Sequence, residues 1–229
     1  MERHFEQQLD KLKKRIIKMS SLVNRQVEDA LQAVSNRDVD FAEEILGRER
    51  KVDKFDVKIE KQCLKLVALN QPVAMDLRFV LSSITINSSL ERIGDLAANI
   101  AKEVIDIEYS KDDLNSICFS SIAEITKDMI SKSIDSFIQR SADLAKDVFE
   151  LEKLMNAKRD QISDKIKIMM KKSLMDIDKA MFFYDTVHSL ERIGDLCTNI
   201  VEDVYFIIEA QNIRHKYADI LFSEESDEL

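Results

Sequence analysis

Apolar residues recur along the start of the chain at steps of three and four: Phe5, Leu9, Leu12, Ile16, Met19, Val23, Val27, Ala30 and Val34. That spacing keeps one face of a helix apolar for eight turns or so and predicts a single long helix. The polar stretch "SNRDVD" (Ser35 to Asp40) interrupts it, with Asp38 placed to cap the next helix. That second helix carries Val52, Phe55, Ile59, Gln62 and Leu66 along one side and ends at "NQPVAMD" (Asn70 to Asp76). Proline disfavours helix at the residue before it and suits a first helical turn, so a third helix is predicted from about Val73 to Glu108.

"YSKDDLN" (Tyr109 to Asn115) reads as a polar linker, after which the plan repeats. A fourth helix holds Ile122, Ile125, Met129, Ile134 and Phe137; a fifth runs to about Met170 and a sixth from about Leu174 to Ala210. The second half also copies letters. "SLERIGDLAANI" (Ser89 to Ile100) returns as "SLERIGDLCTNI" (Ser189 to Ile200), offset by 100. Upstream, Arg37 matches Arg140 and Glu49 matches Glu152 at an offset of 103, so three residues are missing from the turn between helices five and six.

The expected fold is therefore all-α: two tandem three-helix-bundle repeats, residues 1–109 and 110–222, packed as one elongated six-helix body. Residues 223–229, "SEESDEL", form an acidic tail expected to be disordered. Three glycines, one proline and no tryptophan agree with long helices and few turns.

A net charge of −9 argues against nucleic acid as a partner, since binding it needs clustered Lys and Arg. "KLKKR" (Lys11 to Arg15) and Lys171-Lys172 are basic spots that read as solvated helix faces. No apolar run is long enough to span a membrane and the charged start lacks the apolar stretch of a secretory signal, so a cytoplasmic protein is expected. Cys63, Cys118 and Cys197 have neither zinc nor disulfide spacing and read as buried reduced thiols.

Candidate chemistry lies in acidic rows. Glu91, Asp95 and Asn99 line one helix edge, as do Glu191, Asp195 and Asn199. Carboxylates four apart repel, and these continue a largely apolar stripe that includes Asn87, Ile84 and Val80. Acids so placed need a partner, either a basic side chain or a cation. Glu49, Asp53, Asp56 and Glu60 form a matching row at 4-3-4 steps on the second helix. Two such rows side by side make an oxygen-ligand site for a hard cation; the bland alternative is a solvated acidic face.

In the second half Asn156, Arg159 and Ser163 replace Asp53, Asp56 and Glu60, leaving Glu152 alone, and Arg159 is placed to answer Glu191 or Asp195 by salt bridge. Gly94 and Gly194 stand mid-helix, for close helix approach or for room beside a cluster. Arg92 and Arg192 read either as anion ligands or as partners of neighbouring acids. There is no glycine-rich phosphate loop. Asp185 and His188 make one Asp-x-x-His, short of the two Glu-x-x-His pairs of a di-iron oxidase. A protein without catalytic residues is expected.

Together, the doubled "LERIGD…NI", the "QPVAMDLR" turn (Gln71 to Arg78) and "RERKVDKFDVKIE" (Arg48 to Glu60) resemble the PhoU family. The resemblance covers nearly the whole chain. It implies a dimeric six-helix regulator of phosphate uptake that links the ATPase subunit of a phosphate ABC transporter to a sensor histidine kinase. Such a regulator represses phosphate-starvation genes when phosphate is plentiful, and touches membranes only through those complexes. It also implies multinuclear iron or zinc clusters at Glu/Asp-x-x-x-Asp pairs, here Glu49/Asp53, Glu91/Asp95 and Glu191/Asp195, with Glu152/Asn156 lacking its second acid. Where the family often reads "ERIGDHA", this chain has Leu96 and Leu196. Two other readings are a helical metal-binding protein and a regulator of a different phosphate carrier.

Overall fold

The structure, a computed structural model, describes residues 2–47 and 49–213, with side chains for 4–47 and 50–213. Among the described residues all regular structure is helical, in eight segments. In the first half α1 (Glu2–Asn36), α2 (Val39–Leu46), α3 (Glu49–Asn70) and α4 (Ala74–Asp106) pack together. After α5 (Lys111–Ile117), the second half packs α6 (Phe119–Gln139), α7 (Ala142–Lys171) and α8 (Ile177–Glu209) in the same way. The stripe read on α1 is the buried one: Leu12, Ile16, Met19, Val23, Val27 and Val34 are all within 1% of complete burial.

Eight helices replace the expected six for two local reasons. The second helix of the first half is broken at Gly47, whose N–H closes α2 on the Glu43 carbonyl, and α3 starts afresh. Its counterpart α7 has Glu150 at that point and runs unbroken. The other addition is α5, in the stretch read as linker. Its polar letters are a capping box: the Asp113 N–H donates to Ser110 Oγ (3.2 Å) and the Ser110 N–H to Asp113 Oδ2 (2.8 Å). Leu114 and Ile117 are buried beneath it. Tyr109 anchors the same stretch, donating from its hydroxyl to the Val34 carbonyl (2.8 Å) and stacking on Phe182 at 5.0 Å.

The repeat is visible in the backbone. Arg37 and Arg140 both take left-handed φ, 51° and 53°. Each is followed by an N-cap, Asp38 accepting from the Phe41 N–H and Ser141 from the Leu144 N–H. The three-residue deletion does not shorten the later turn. Residues 71–73 join α3 to α4, whereas 172–176 join α7 to α8. The helix ends absorb the loss, and α8 begins at Ile177, where Asp176 caps it by accepting from the Lys179 N–H (3.0 Å).

The halves meet where α4 lies against α8. Arg78 donates to the Ile207 carbonyl, Thr85 to the Asp203 carboxylate, and Glu103 senses the charge of Asp185. Numbers rise along α4 as they fall along α8, so the two run antiparallel. Adding 100 to Thr85 and taking 100 from Asp203 gives Asp185 and Glu103, the contact at the other end. An approximate twofold therefore passes through the middle of the two helices, where the motif copies sit.

One connected core runs through both halves, from Leu12 to Ile213. Residues 214–229, the acidic tail among them, lie outside the described residues.

Candidate functional site

The acidic row of α3 faces that of α4. Buried Asn87 fixes the register by donating through Nδ2 to Asp56 Oδ1 (2.6 Å) and to the Asp56 carbonyl (3.2 Å). One turn on, half-buried Glu91 feels Asp95, Asp56 and Asp53, and Asp95 feels Asp53 while hydrogen-bonded with Glu91. Burial is the largest cause raising the carboxyl pKa of Asp56, Glu91 and Asp95, and mutual repulsion adds to it. Asn87 opposes the shift at Asp56 and Arg92 that at Glu91. Asp53 is exposed at the rim. Glu49 lies one turn before Asp53 on α3, and its side chain is outside the described residues. Among the described residues no three His, Cys, Asp or Glu are arranged to hold a metal ion.

The second half uses the same place differently. Arg159, where the first half has Asp56, reaches from α7 to Glu191 with Nη1 to Oε1 at 2.8 Å, and its Nε meets Asp160 at 2.9 Å. Asp195 is left among acids. Burial first, then Glu191 and Glu152, push its carboxyl up to about 6, against the pull of Arg159 and Arg192. With a guanidinium already answering Glu191 and neutral Asn156 and Ser163 beside it, this row does not fit a cation.

At the mid-helix glycines, a Cβ on Gly94 would meet Val52 Cγ1 at 3.4 Å, ordinary contact, and one on Gly194 would meet Met129 Sδ at 3.2 Å, a tighter fit. Gln26 also donates to the Gly94 carbonyl (3.1 Å). Both positions pack against neighbouring helices, and neither opens onto a cluster. Of the cysteines, Cys63 and Cys197 are buried with thiols pushed up to about 12, but Cys118 is exposed between α5 and α6, correcting the expectation for that residue.

The antiparallel crossing creates what the letters alone do not show. Arg92 and Asp95 from one motif copy, and Arg192, Asp195 and Asn199 from the other, line one cleft of about 560 Å³. Asp95 and Asp195 therefore belong both to their acidic rows and to this shared cleft. Beside it lies a second cleft of about 600 Å³ holding Lys102, Glu103, Asp185, His188 and Arg192. There burial, then Asp185, raises the Glu103 carboxyl pKa. Glu103 was not singled out in the sequence because nothing in a linear reading tells which residue of α8 lies across from it.

The PhoU domain matches this chain twice, over residues 16–104 and 119–204. The phosphate-specific transport system accessory protein PhoU of Serratia marcescens is 28% identical over 217 residues, 95% of this chain and 89% of that protein. A homolog of it from Aquifex aeolicus is 30% identical over 92% of this chain and 95% of its own length. Among solved structures, the phosphate transport system regulatory protein PhoU of Streptococcus pneumoniae superposes with a TM-score of 0.82 at 25% identity, covering 91% of this chain and 98% of that one. PhoU of Pseudomonas aeruginosa superposes with a TM-score of 0.84 at 25% identity, over 90% and 100%.

Proposed function

The chain belongs to the PhoU family, and from that premise we propose that it is a non-enzymatic adaptor regulating phosphate uptake and phosphate-starvation signalling. Its role is to couple the ATPase subunit of a phosphate ABC transporter to a sensor histidine kinase, as a homodimer in the cytoplasm, and to hold the starvation response off when phosphate is plentiful. What supports this is the double match of its halves to one domain whose relatives are named as accessory proteins of phosphate-specific transport. An adaptor needs two faces whose affinities follow the state of two partners. The acidic α3/α4 row and the cleft between α4 and α8, where two arginines stand with two aspartates, offer two adjoining surfaces of different charge. The test is a pull-down with the tagged full chain from cells grown in rich and in poor phosphate. Recovery of a transporter ATPase or a histidine kinase is expected; recovery of neither, in either medium, refutes the reading. Capture of a different phosphate carrier would move the chain to that system.

A second reading concerns the first-half row. Burial and mutual repulsion raise Asp56, Glu91 and Asp95 together, which a cation would relieve. The carboxylates of Asp53, Asp56, Glu91 and Asp95, with Glu49 adjoining on α3, are the ones that would have to converge to hold iron or zinc, since among the described residues no three are arranged for it. A bound cation would neutralise this face and so alter its choice of partner. Elemental analysis of the purified chain decides: metal-free protein that also binds its partners equally with and without chelator leaves the adaptor and removes the metal.

A further inference from the structure

The basic residues are not spread evenly. Lys54, Lys58, Lys61 and Lys65 fall within about 60° of arc on α3, on the side away from Asp56. Against them stand Lys11 and Arg15 of α1, across a groove of about 600 Å³ whose remaining lining is His4 and glutamines, with no carboxylate. Lys14 and Lys18 continue the same side of α1. Arg15 is held by Gln62 (2.6 Å), whereas Lys11, Lys58, Lys61 and Lys65 form no ion pair among the described residues.

The fold does not require these charges. With the repeat offset of 103, the positions of Lys54, Lys58, Lys61 and Lys65 are taken in α7 by Ala157, Gln161, Asp164 and Ile168. Nor does the surface stay polar. Leu69 (68% exposed) stands on α3 one turn beyond Lys65, Leu64 (58%) lies at the edge of the lysine arc between Lys61 and Glu60, and Val73 (73%) is in the turn beyond α3, where Gln71 and Ala74 are held at left-handed φ.

Cations with long aliphatic stems, beside exposed aliphatics on a helix that cannot itself cross a bilayer, suit the headgroup region of an anionic membrane. We propose that the α1/α3 face docks this protein on an anionic phospholipid surface, the lysines meeting lipid phosphates and Leu64, Leu69 and Val73 entering the headgroup layer. Asp53 and Glu60, exposed at the edge of the arc beside Lys54 and Lys61, offset part of its charge, whereas acids beyond a Debye length of about 8–10 Å are screened, and the net charge of −9 sets which face turns to the membrane. An acidic protein partner is the alternative occupant, and the experiment separates the two. The proposal rests on no part of the adaptor reading.

The experiment is flotation of the purified full chain with vesicles of phosphatidylcholine alone or with about a third phosphatidylglycerol. Binding is expected only to the anionic vesicles, and is lost at high salt. Each lysine near the surface is worth about fivefold in partitioning, so reversing Lys58, Lys61 and Lys65 to Glu lowers it more than about a hundredfold. The same reversal at Lys127, Lys171 and Lys172 matches the net charge and is expected to leave it far less changed. Circular dichroism checks that both variants fold, and Leu64→Ser with Leu69→Ser should weaken binding without altering charge. The proposal is overturned by equal loss in the two charge variants, by binding to neutral vesicles, or by displacement with millimolar inorganic phosphate at constant ionic strength. It is equally overturned if the chain binds polyglutamate through these lysines but no vesicle, which would assign the face to an acidic protein.

Discussion

Replacing Arg159 by Met is the sharpest test of how the second half differs from the first. Arg159 and Glu191 are 23% and 16% exposed at the side chain and meet at 2.8 Å, so the pair lies between a surface ion pair and a buried one. Exposed pairs are worth about 0–1 kcal/mol, and stranding one partner of a buried pair costs about 3–5 kcal/mol. Methionine keeps the packing volume and removes the charge, giving an expected loss of about 1–3 kcal/mol. For a chain of this length that lowers the melting temperature by roughly 3–9 °C at neutral pH. The pH dependence adds a second handle. Asp195 is already raised to about 6, and Arg159 is one of the groups restraining it, so the variant raises it further. A carboxyl with a raised folded-state pKa holds its proton better in the folded chain, and stability falls as pH rises from its unfolded value near 4 through the folded value. In the variant this fall extends to higher pH, so its deficit against wild type should grow between about pH 5 and 7 and shrink toward pH 4. Thermal melts followed by circular dichroism across that range, with Glu191→Gln and the double variant closing a cycle, measure both. An unchanged melting temperature at neutral pH, or additive single effects, would refute the ion pair as described.

Three further outcomes are expected. Asn87→Ala leaves half-buried Asp56 Oδ1 without its donor and should cost about 1 kcal/mol at neutral pH, less on acidification, because it raises the Asp56 carboxyl further; denaturant melts at two pH values check it. Gly94→Ala places a methyl in ordinary contact with Val52 and gains helix propensity, so stability should rise by up to about 1 kcal/mol, whereas a loss of that size in a urea melt would show that the helices sit closer than described. Converting Asn156 and Arg159 to Asp and Ser163 to Glu rebuilds in the second half the acidic row of the first, and elemental analysis should then find more bound cation per chain than in wild type if the first row is a cation site.

Much of this protein is legible in its letters. The three-four spacing on α1, the scarcity of glycine and proline, and two near-identical twelve-residue stretches set an all-α duplicated fold, because a helix must bury whichever face is apolar. The cap at Asp38 follows from local chemistry, and a salt bridge from Arg159 to Glu191 or Asp195 follows from comparing one repeat with the other, with the structure choosing Glu191. Local reading failed where polar letters served the backbone: Ser110 and Asp113 looked like linker and instead start α5. It also failed at exposed Cys118, and at the α7–α8 turn, where the deletion shortened helices and not the loop.

Tertiary structure alone decided the rest. That α4 and α8 run antiparallel, bringing both motif copies to one cleft and Glu103 beside Asp185, depends on packing between residues about a hundred positions apart. Helical periodicity carries no information about such pairings: it says which face is buried and leaves open against what. Likewise the lysines of α1 and α3 are ordinary solvated residues when read singly, and become one basic face only because the core beneath them holds the two helices side by side.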